Sequence, residues 1–291
     1  MIDDFICMNK FSYLESNKIN ILFTQYETFI SDILSIENSN IQQKTVVITG
    51  NNDHCITKKP INDKLISHEM PVLFPRLSEK IEKVFAQNCL VDDEEKFEII
   101  PIGIQNYIPN KRGTFHGWIP PHSEERIELL RNKFFLPTLP KNSNKFLYAN
   151  FTKETNLNHR EKIKHYCVNS EHIIWEEPPV SLENYFNSII NSEAVVCAQG
   201  NGMGDNHRIY ETLYLNRIPI TFNKIMYERL HHNFPIILLE DESQLSNVDL
   251  IKNKINIIKN NFPENYKEIK ELKFSFWEEK IKNFIDKISK N

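Results

Sequence analysis

Short runs rich in β-branched and aromatic residues alternate with segments of helical spacing along this chain, and the alternation starts twice. In the first series INILFTQ (19–25) predicts a buried strand and YETFISDILSI (26–36) a helix. KTVVITG (44–50) predicts a second strand, MPVLFP (70–75) a candidate third, and FEIIPIGIQN (97–106) a short strand broken at Pro101. Between them LSEKIEKVFAQN (77–88) sets Leu77, Ile81, Val84 and Phe85 on one helical face and predicts a helix. Strand and helix in turn are the signature of βαβ units around a parallel sheet.

Residues 107–143 interrupt the pattern with a loop-like stretch, a short helix in ERIELLRNKFFL and the proline-containing polar linker PTLPKNSN. The second series runs through the strands KFLYANF (145–151), HIIWEE (172–177), EAVVCAQG (193–200), RIPITF (217–222) and PIILLED (235–241). Its helices are NHREKIKHYCV, with Asn158 as the expected cap, SLENYFNSIINS, opened by Ser181, and NHRIYETLYLN. FSFWEEKIKNFIDKIS closes the chain with Phe276, Ile281, Phe284, Ile285 and Ile288 at helical spacing. The expected fold class is α/β: an N-terminal Rossmann-like domain over 1–140, a second over 141–272, and an amphipathic helix over 273–291 packing back on the body.

Bulk composition narrows the function classes. A formal charge of -4 over 291 residues gives no basic footprint for nucleic acid. The five cysteines are scattered, form no C-x-x-C pair and match no zinc spacing, so reduced thiols and a cytoplasmic protein are expected. MIDDFICMNKF has an acidic front and no apolar core, unlike a secretory signal, and no run is long enough to span a bilayer.

Against that even background, three of the chain's seven glycines, Gly200, Gly202 and Gly204, fall within five residues. They lie between an expected strand and an expected helix. A helix N-terminus carries unpaired N–H groups and partial positive charge, and glycines admit close approach of a ligand, so the arrangement suits a phosphate. GNGMGD is neither G-x-G-x-x-G nor a Walker A sequence, and the glycines alone fit a plain loop equally well. Arg208 adds a guanidinium in the first helical turn, where its fork can meet phosphate oxygens. Glu211, three residues on, shares that face and could accept from two ribose hydroxyls; the bland reading of the pair is a surface ion pair worth under about 1 kcal/mol. His207 reads as a phosphate donor or as an ordinary exposed helix residue.

AQGNGMGDNHRIYETLYLNRIPITF resembles the donor-site segment of exostosin-like glycosyltransferases, including short viral and bacterial relatives. The matching positions are Gly200, Asn201, Gly202, His207, Arg208, Glu211, Leu213 and Ile218 to Ile220. VVITGNND, VFAQN, IPIGIQN, LYANFTKETNLNHRE and PIILLED look like looser parts of the same pattern, which thus spans about 44–245. Asn216 and Arg217 depart from it, standing where relatives carry small residues, and altered packing at the helix end is expected from them.

The resemblance implies a GT-B fold of two facing Rossmann-like domains, with the nucleotide-sugar held by the C-terminal one and the acceptor by the N-terminal one. It implies transfer of a hexosyl or pentosyl group, with inversion, from a nucleotide-sugar, expected to be UDP-linked, to a hydroxyl of a glycan or polysaccharide. No cofactor and no metal ligand are assigned: the glycine turn and Arg208 would meet the leaving-group charge, and the acidic clusters VDDEEK (91–96) and LLEDES (238–243) read as solvated or strand-end segments. The spaced glutamate pair of retaining enzymes is absent, since Met203 stands eight positions before Glu211. Asp53, ending the second strand, is the candidate general base, with an Asx-turn cap as its structural alternative and His54 and His116 as rivals. Tyr148 and Asn150, at the end of the LYANF strand, are further donor-binding candidates. Arg160 and Trp175 read first as structural. Two other functions fit the same residues: a nucleotide-sugar epimerase, which would convert donor without acceptor, and a non-catalytic nucleotide-sugar-binding module, which would bind without turnover.

Overall fold

The computed structural model describes residues 4–40, 43–50, 56–57, 72–73, 77, 79–91, 95–104, 108–109, 115–116, 122–133, 146–200 and 205–290. It divides into two compact units. The first comprises Asp4–Ser123, Gly202–Asp205 and Lys273–Asn291; the second comprises Glu124–Asn201 and Asn206–Leu272.

In the first unit, α1 (Met8–Phe11) precedes β1 (Asn20–Gln25), α2 (Tyr26–Asn38) and β2 (Thr45–Gly50). Then come β3 (Ile56–Thr57), β4 (Val72–Leu73), β5 (Ile81–Ala86), β6 (Phe97–Ile99), β7 (Ile108–Pro109) and β8 (Phe115–His116). Four strands form a parallel sheet in the order β1-β2-β5-β6, with Val47 of β2 opposite Leu22 on one side and Val84 on the other. Every residue of β2 is buried, as befits a parallel strand covered on both faces. Phe29, Ile33 and Ile36 of α2, at helical spacing, join Val47, Val84 and Ala86 in one core. Each of the Phe, Ile and Val side chains contributes roughly 1.5–3 kcal/mol on burial.

The segment expected as a helix over 77–88 is β5 instead. It lies between β2 and β6, so Ile81, Val84, Phe85 and Ala86 are buried without alternation. A doubly covered strand and a buried helix look alike in hydrophobic pattern. Asn88, with φ 53°, bends the chain out of the strand, and Asn residues tolerate that left-handed conformation. Its Oδ1 accepts from the Asp205 N–H at 2.6 Å, while Ile102 N–H donates to Asp205 Oδ2 at 3.0 Å. Gly103 has φ 67°, and a Cβ there would lie 2.1 Å from the Ile6 carbonyl oxygen; only glycine fits this crossing.

The second unit takes up most of α3 (His122–Lys133), then β9 (Leu147–Ala149), α4 (Leu157–Val168), β10 (Ile173–Trp175), α5 (Leu182–Ile190) and β11 (Ala194–Val196). It continues with α6 (His207–Tyr214), β12 (Ile218–Thr221), α7 (Lys224–Arg229), β13 (Ile237–Leu238) and α8 (Val248–Asn261). Its five strands are parallel in the order β10-β9-β11-β12-β13. Ser181 caps α5 as expected, accepting from Asn184 N–H at 3.2 Å. The residue before α4 is Asn156 rather than Asn158, and it makes no side-chain cap bond.

The closing helix, α9 (Phe274–Ile288), belongs to the first unit. Phe284 meets Phe85 edge-on at 5.9 Å, Lys280 pairs with Glu98, and Phe274 N–H donates to Asp4 O at 2.9 Å. The helix therefore packs on that unit's own body. The boundary between the units falls at Ser123/Glu124, upstream of the expected 140, and Arg126 of α3 finds its partner, Glu211, in the second unit. Among the described residues no helix is long and apolar enough to cross a membrane.

Candidate functional site

In the second unit the chain adds β10 on one side of β9, then returns to add β11 on the other. This is the 2-1-3-4-5 order, and sheets of this order bind ligands at the carboxyl ends of the strands where the order reverses, between the first and the third. Asn150 follows β9 at that edge, and Cys197 to Gly200 follow β11. Gly200, the first of the three glycines singled out in the sequence, thus lies where the chain leaves the sheet at the switch point.

Protein side chains fix both lips of that edge. Arg160 of α4 donates through Nε to Gln199 O at 2.7 Å, through Nη1 to Thr152 O at 2.7 Å and through Nη2 to Ala198 O at 3.4 Å. One guanidinium so joins the segment after β9 to the segment after β11, the structural role expected of it. Asn156 Nδ2 donates to Gly200 O at 3.0 Å, and Asn206 Nδ2 to Ala198 O at 2.9 Å. Among the described residues a Cβ on Gly200 would meet only Arg160 Nη2, at 3.8 Å, an ordinary contact distance. Asn201 and Gly202 lie outside the described residues, as do Asp53 and His54; His116 lies in β8, with its side chain outside them.

The helix that follows begins as expected. Asn206 caps α6 with Oδ1 accepting from Arg208 N–H at 3.0 Å, and His207 is its first residue. Arg208 is half-buried, with its guanidinium 5.5 Å from the centre of the Tyr185 ring. Its Nε donates to Tyr185 Oη at 2.9 Å. Among the described residues its η nitrogens make no hydrogen bond.

Tyr185 passes the connection on: its hydroxyl donates to Glu211 Oε2 at 2.9 Å. Arg126 Nη1 of α3 bonds the other oxygen, Oε1. Spacing suggested that Glu211 faces a ribose; the structure instead buries it to 2% exposure and engages both its oxygens with protein donors. The reason lies in α6, whose residues Ile209 to Tyr214 are all buried. Desolvation, with Glu211 beside it, pushes the Tyr185 hydroxyl well above its ordinary range, so it stays protonated and keeps donating.

Tyr148 and Asn150 both bond Glu176, the first its carboxylate and the second its backbone carbonyl. Tyr148 is fully buried and donates to Glu176 Oε2 at 2.8 Å, Ser188 Oγ donates to Oε1 at 2.7 Å, and Asn150 Nδ2 donates to Glu176 O at 2.9 Å. Burial, then the bond to Glu176, raises the Tyr148 hydroxyl far above its usual range. Trp175 is the half-buried strand residue expected, its Nε1 donating to Glu177 Oε2 at 2.7 Å. Burial pushes the Cys197 thiol up to about 12, which removes it as a nucleophile.

Arg126, Tyr185 and Glu176 were not among the sequence candidates. Tyr185 sits on the apolar face of α5 and Arg126 in a polar helix, and no local pattern connects either to Glu211.

No family model and no curated protein matches the sequence. Among solved structures, the spinosyn rhamnosyltransferase SpnG aligns with a TM-score of 0.37 at 11% identity, over 87% of this chain and 68% of that one. Two structures of the wall teichoic acid polymerase TagF align with TM-scores of 0.26 at 10% identity, over 95% and 94% of this chain and 91% and 89% of theirs.

Proposed function

We propose that this chain is a glycosyltransferase of GT-B type and of the exostosin-like kind, moving a sugar from a nucleotide-sugar, UDP-linked by preference, to a hydroxyl of a glycan. The observation that carries the reading is the half-buried Arg208, whose η nitrogens make no bond among the described residues, in the first turn of the helix that follows the switch point. A guanidinium so placed is suited to a diphosphate. The resemblance of 197–222 to exostosin-like donor segments supports sugar transfer as the chemistry around that anion.

In the reaction the acceptor oxygen forms a bond to the sugar C1 as the bond from C1 to the diphosphate oxygen breaks, inverting C1. The acceptor proton passes to a carboxylate, for which Asp53 is the candidate. Charge released onto the diphosphate meets the Arg208 guanidinium at the positive end of α6. Glu211 acts within this site through Tyr185, holding Arg208 by its Nε.

Thermal shift over UDP-, GDP-, CMP- and dTDP-sugars identifies the donor, since a ligand of the native state raises its apparent stability. Arg208→Ala should then weaken binding of the free nucleoside diphosphate by about 10- to 100-fold in calorimetry, the worth of one or two charge-assisted bonds. Unchanged affinity in a folded Arg208→Ala protein would remove the reading. Donor binding with neither transfer nor hydrolysis would mark a non-catalytic module.

A further inference from the structure

Arg208 and Glu211 stand three residues apart on α6, close enough for a direct ion pair. They do not form one. The Tyr185 hydroxyl lies between them, accepting from Arg208 Nε at 2.9 Å and donating to Glu211 Oε2 at 2.9 Å. Glu211 is satisfied on its other side by Arg126, which reaches it from 85 residues away in sequence and whose guanidinium lies 5.9 Å from the centre of the Phe186 ring. The two side chains are 14% and 3% exposed, so their mutual attraction is little screened by water.

We infer that Arg126 is a positioning residue for anion binding at Arg208: by engaging Glu211 it keeps that carboxylate from closing on the guanidinium. The inference rests on the reading of Arg208 as the phosphate-binding group. A buried carboxylate deprived of its cation is costly and draws in the nearest replacement. In this network the replacement is Arg208, linked to Glu211 through one phenol. Closure of Arg208 onto Glu211 would turn its η nitrogens inward and cancel the charge an incoming diphosphate needs. Tyr185 keeps the two groups spaced, and Arg126 removes the force that would bring them together.

Calorimetric titration with inorganic pyrophosphate at fixed ionic strength tests this. Arg126→Met should weaken binding about tenfold, the worth of one charge-assisted bond. Arg126→Lys, which keeps the charge, should stay near wild type. Adding Glu211→Gln to Arg126→Met should restore affinity to within about threefold of Glu211→Gln alone, because no carboxylate remains to compete. A purely structural role would show no such rescue. If the double variant stays as weak as Arg126→Met, or if Arg126→Met binds like wild type, the inference is overturned. Should Arg126→Met not fold, Arg126→Gln keeps a donor without the charge, and wild-type affinity in that variant overturns it equally. Arg208→Ala separates the two claims. If pyrophosphate binding is absent from wild type or survives Arg208→Ala, both fall; if Arg208→Ala loses binding while the Arg126 series fails, only the Arg126 claim falls.

Discussion

The sheet of the first unit adds its strands in one direction, β1-β2-β5-β6, whereas that of the second reverses after β10 and continues on the far side of β9. Their interiors differ in the same sense. Among the described residues the buried polar side chains of the first unit are Thr24, Thr45, Thr49, Gln87 and Asn88, all uncharged. Those of the second include Arg160, Glu211 and Arg217, so that every buried Arg or carboxylate among the described residues is there. Buried charges are costly and persist where partners hold them in place. Arg160 is held by carbonyls at the switch point and Glu211 by Arg126 and Tyr185 on the helix that leaves it. The comparison separates a unit whose described interior is uncharged from one whose interior also organises charge.

The largest effect expected from this contrast is in the first unit. Phe29 is fully buried on α2 against Val47 and Val84. Phe29→Ala should cost about 3–5 kcal/mol in denaturant unfolding. Pyrophosphate affinity of the folded fraction should stay within twofold of wild type. A tenfold loss of affinity in protein that remains folded would break the division of roles.

A smaller and mixed effect is expected at Arg217. It is 3% exposed and donates to Ile190 O at 2.9 Å and 2.5 Å through Nε and Nη2, to Asn216 O at 2.8 Å and to Leu215 O at 3.5 Å. These carbonyls end α5 and α6, where a cation is favoured by the helix dipole. Burial lowers the guanidinium to about 10, which leaves it charged at neutral pH. Arg217→Met should cost about 1–3 kcal/mol, the value of hydrogen bonds made by a charged group. Because α5 carries Tyr185 and α6 carries Arg208, anion affinity should fall too, by less than in Arg126→Met. A loss of affinity larger than that of Arg126→Met would place Arg217 in the binding apparatus rather than beneath it. Beside it Asn216 takes φ 59° at the end of α6, donating to Glu264 O and accepting from Tyr266 N–H, while Arg217 caps both helices.

What the sequence conveyed and what it withheld follow from the range of each interaction. Strands such as 45–50 and 194–196 are compact β-branched runs, and the Ser181 cap acts within three residues, so these were legible locally, whereas the cap expected at Asn158 is not formed. β5 was not, because a strand covered on both faces loses its alternation, and Leu77, Ile81, Val84 and Phe85 happen to fit a helical face. The position of Arg208 at a helix start was legible; the burial of Glu211 was only hinted at by its apolar neighbours Ile209, Tyr210, Leu213 and Tyr214. Its partners Arg126 and Tyr185 lie 85 and 26 residues upstream. Only the folded topology brings them to one carboxylate.

The smallest effect sharpens the comparison from the opposite side of the switch, at His159 of α4. Nδ1 lies 3.0 Å from Glu242 Oε1, and the ring meets Phe222 edge-on at 5.6 Å. Among the described residues the buried Nε2 has no hydrogen-bond partner. Protonation would place a second N–H where nothing accepts it, and desolvation holds the imidazole below its ordinary value although Glu242 pulls the other way. Below a pH of about 6.5 the unfolded chain takes up this proton more readily than the folded one. The contribution of neutral His159 is therefore complete above that pH and is lost as pH falls through the depressed folded value. His159→Gln keeps a donor toward Glu242 but cannot titrate. Denaturant midpoints of wild type and His159→Gln should accordingly differ most near neutrality and converge toward pH 5. Should the gap widen on acidification, Glu242 rather than burial governs the ring, and this corner of the second unit would be an ion pair like that of Arg126 with Glu211.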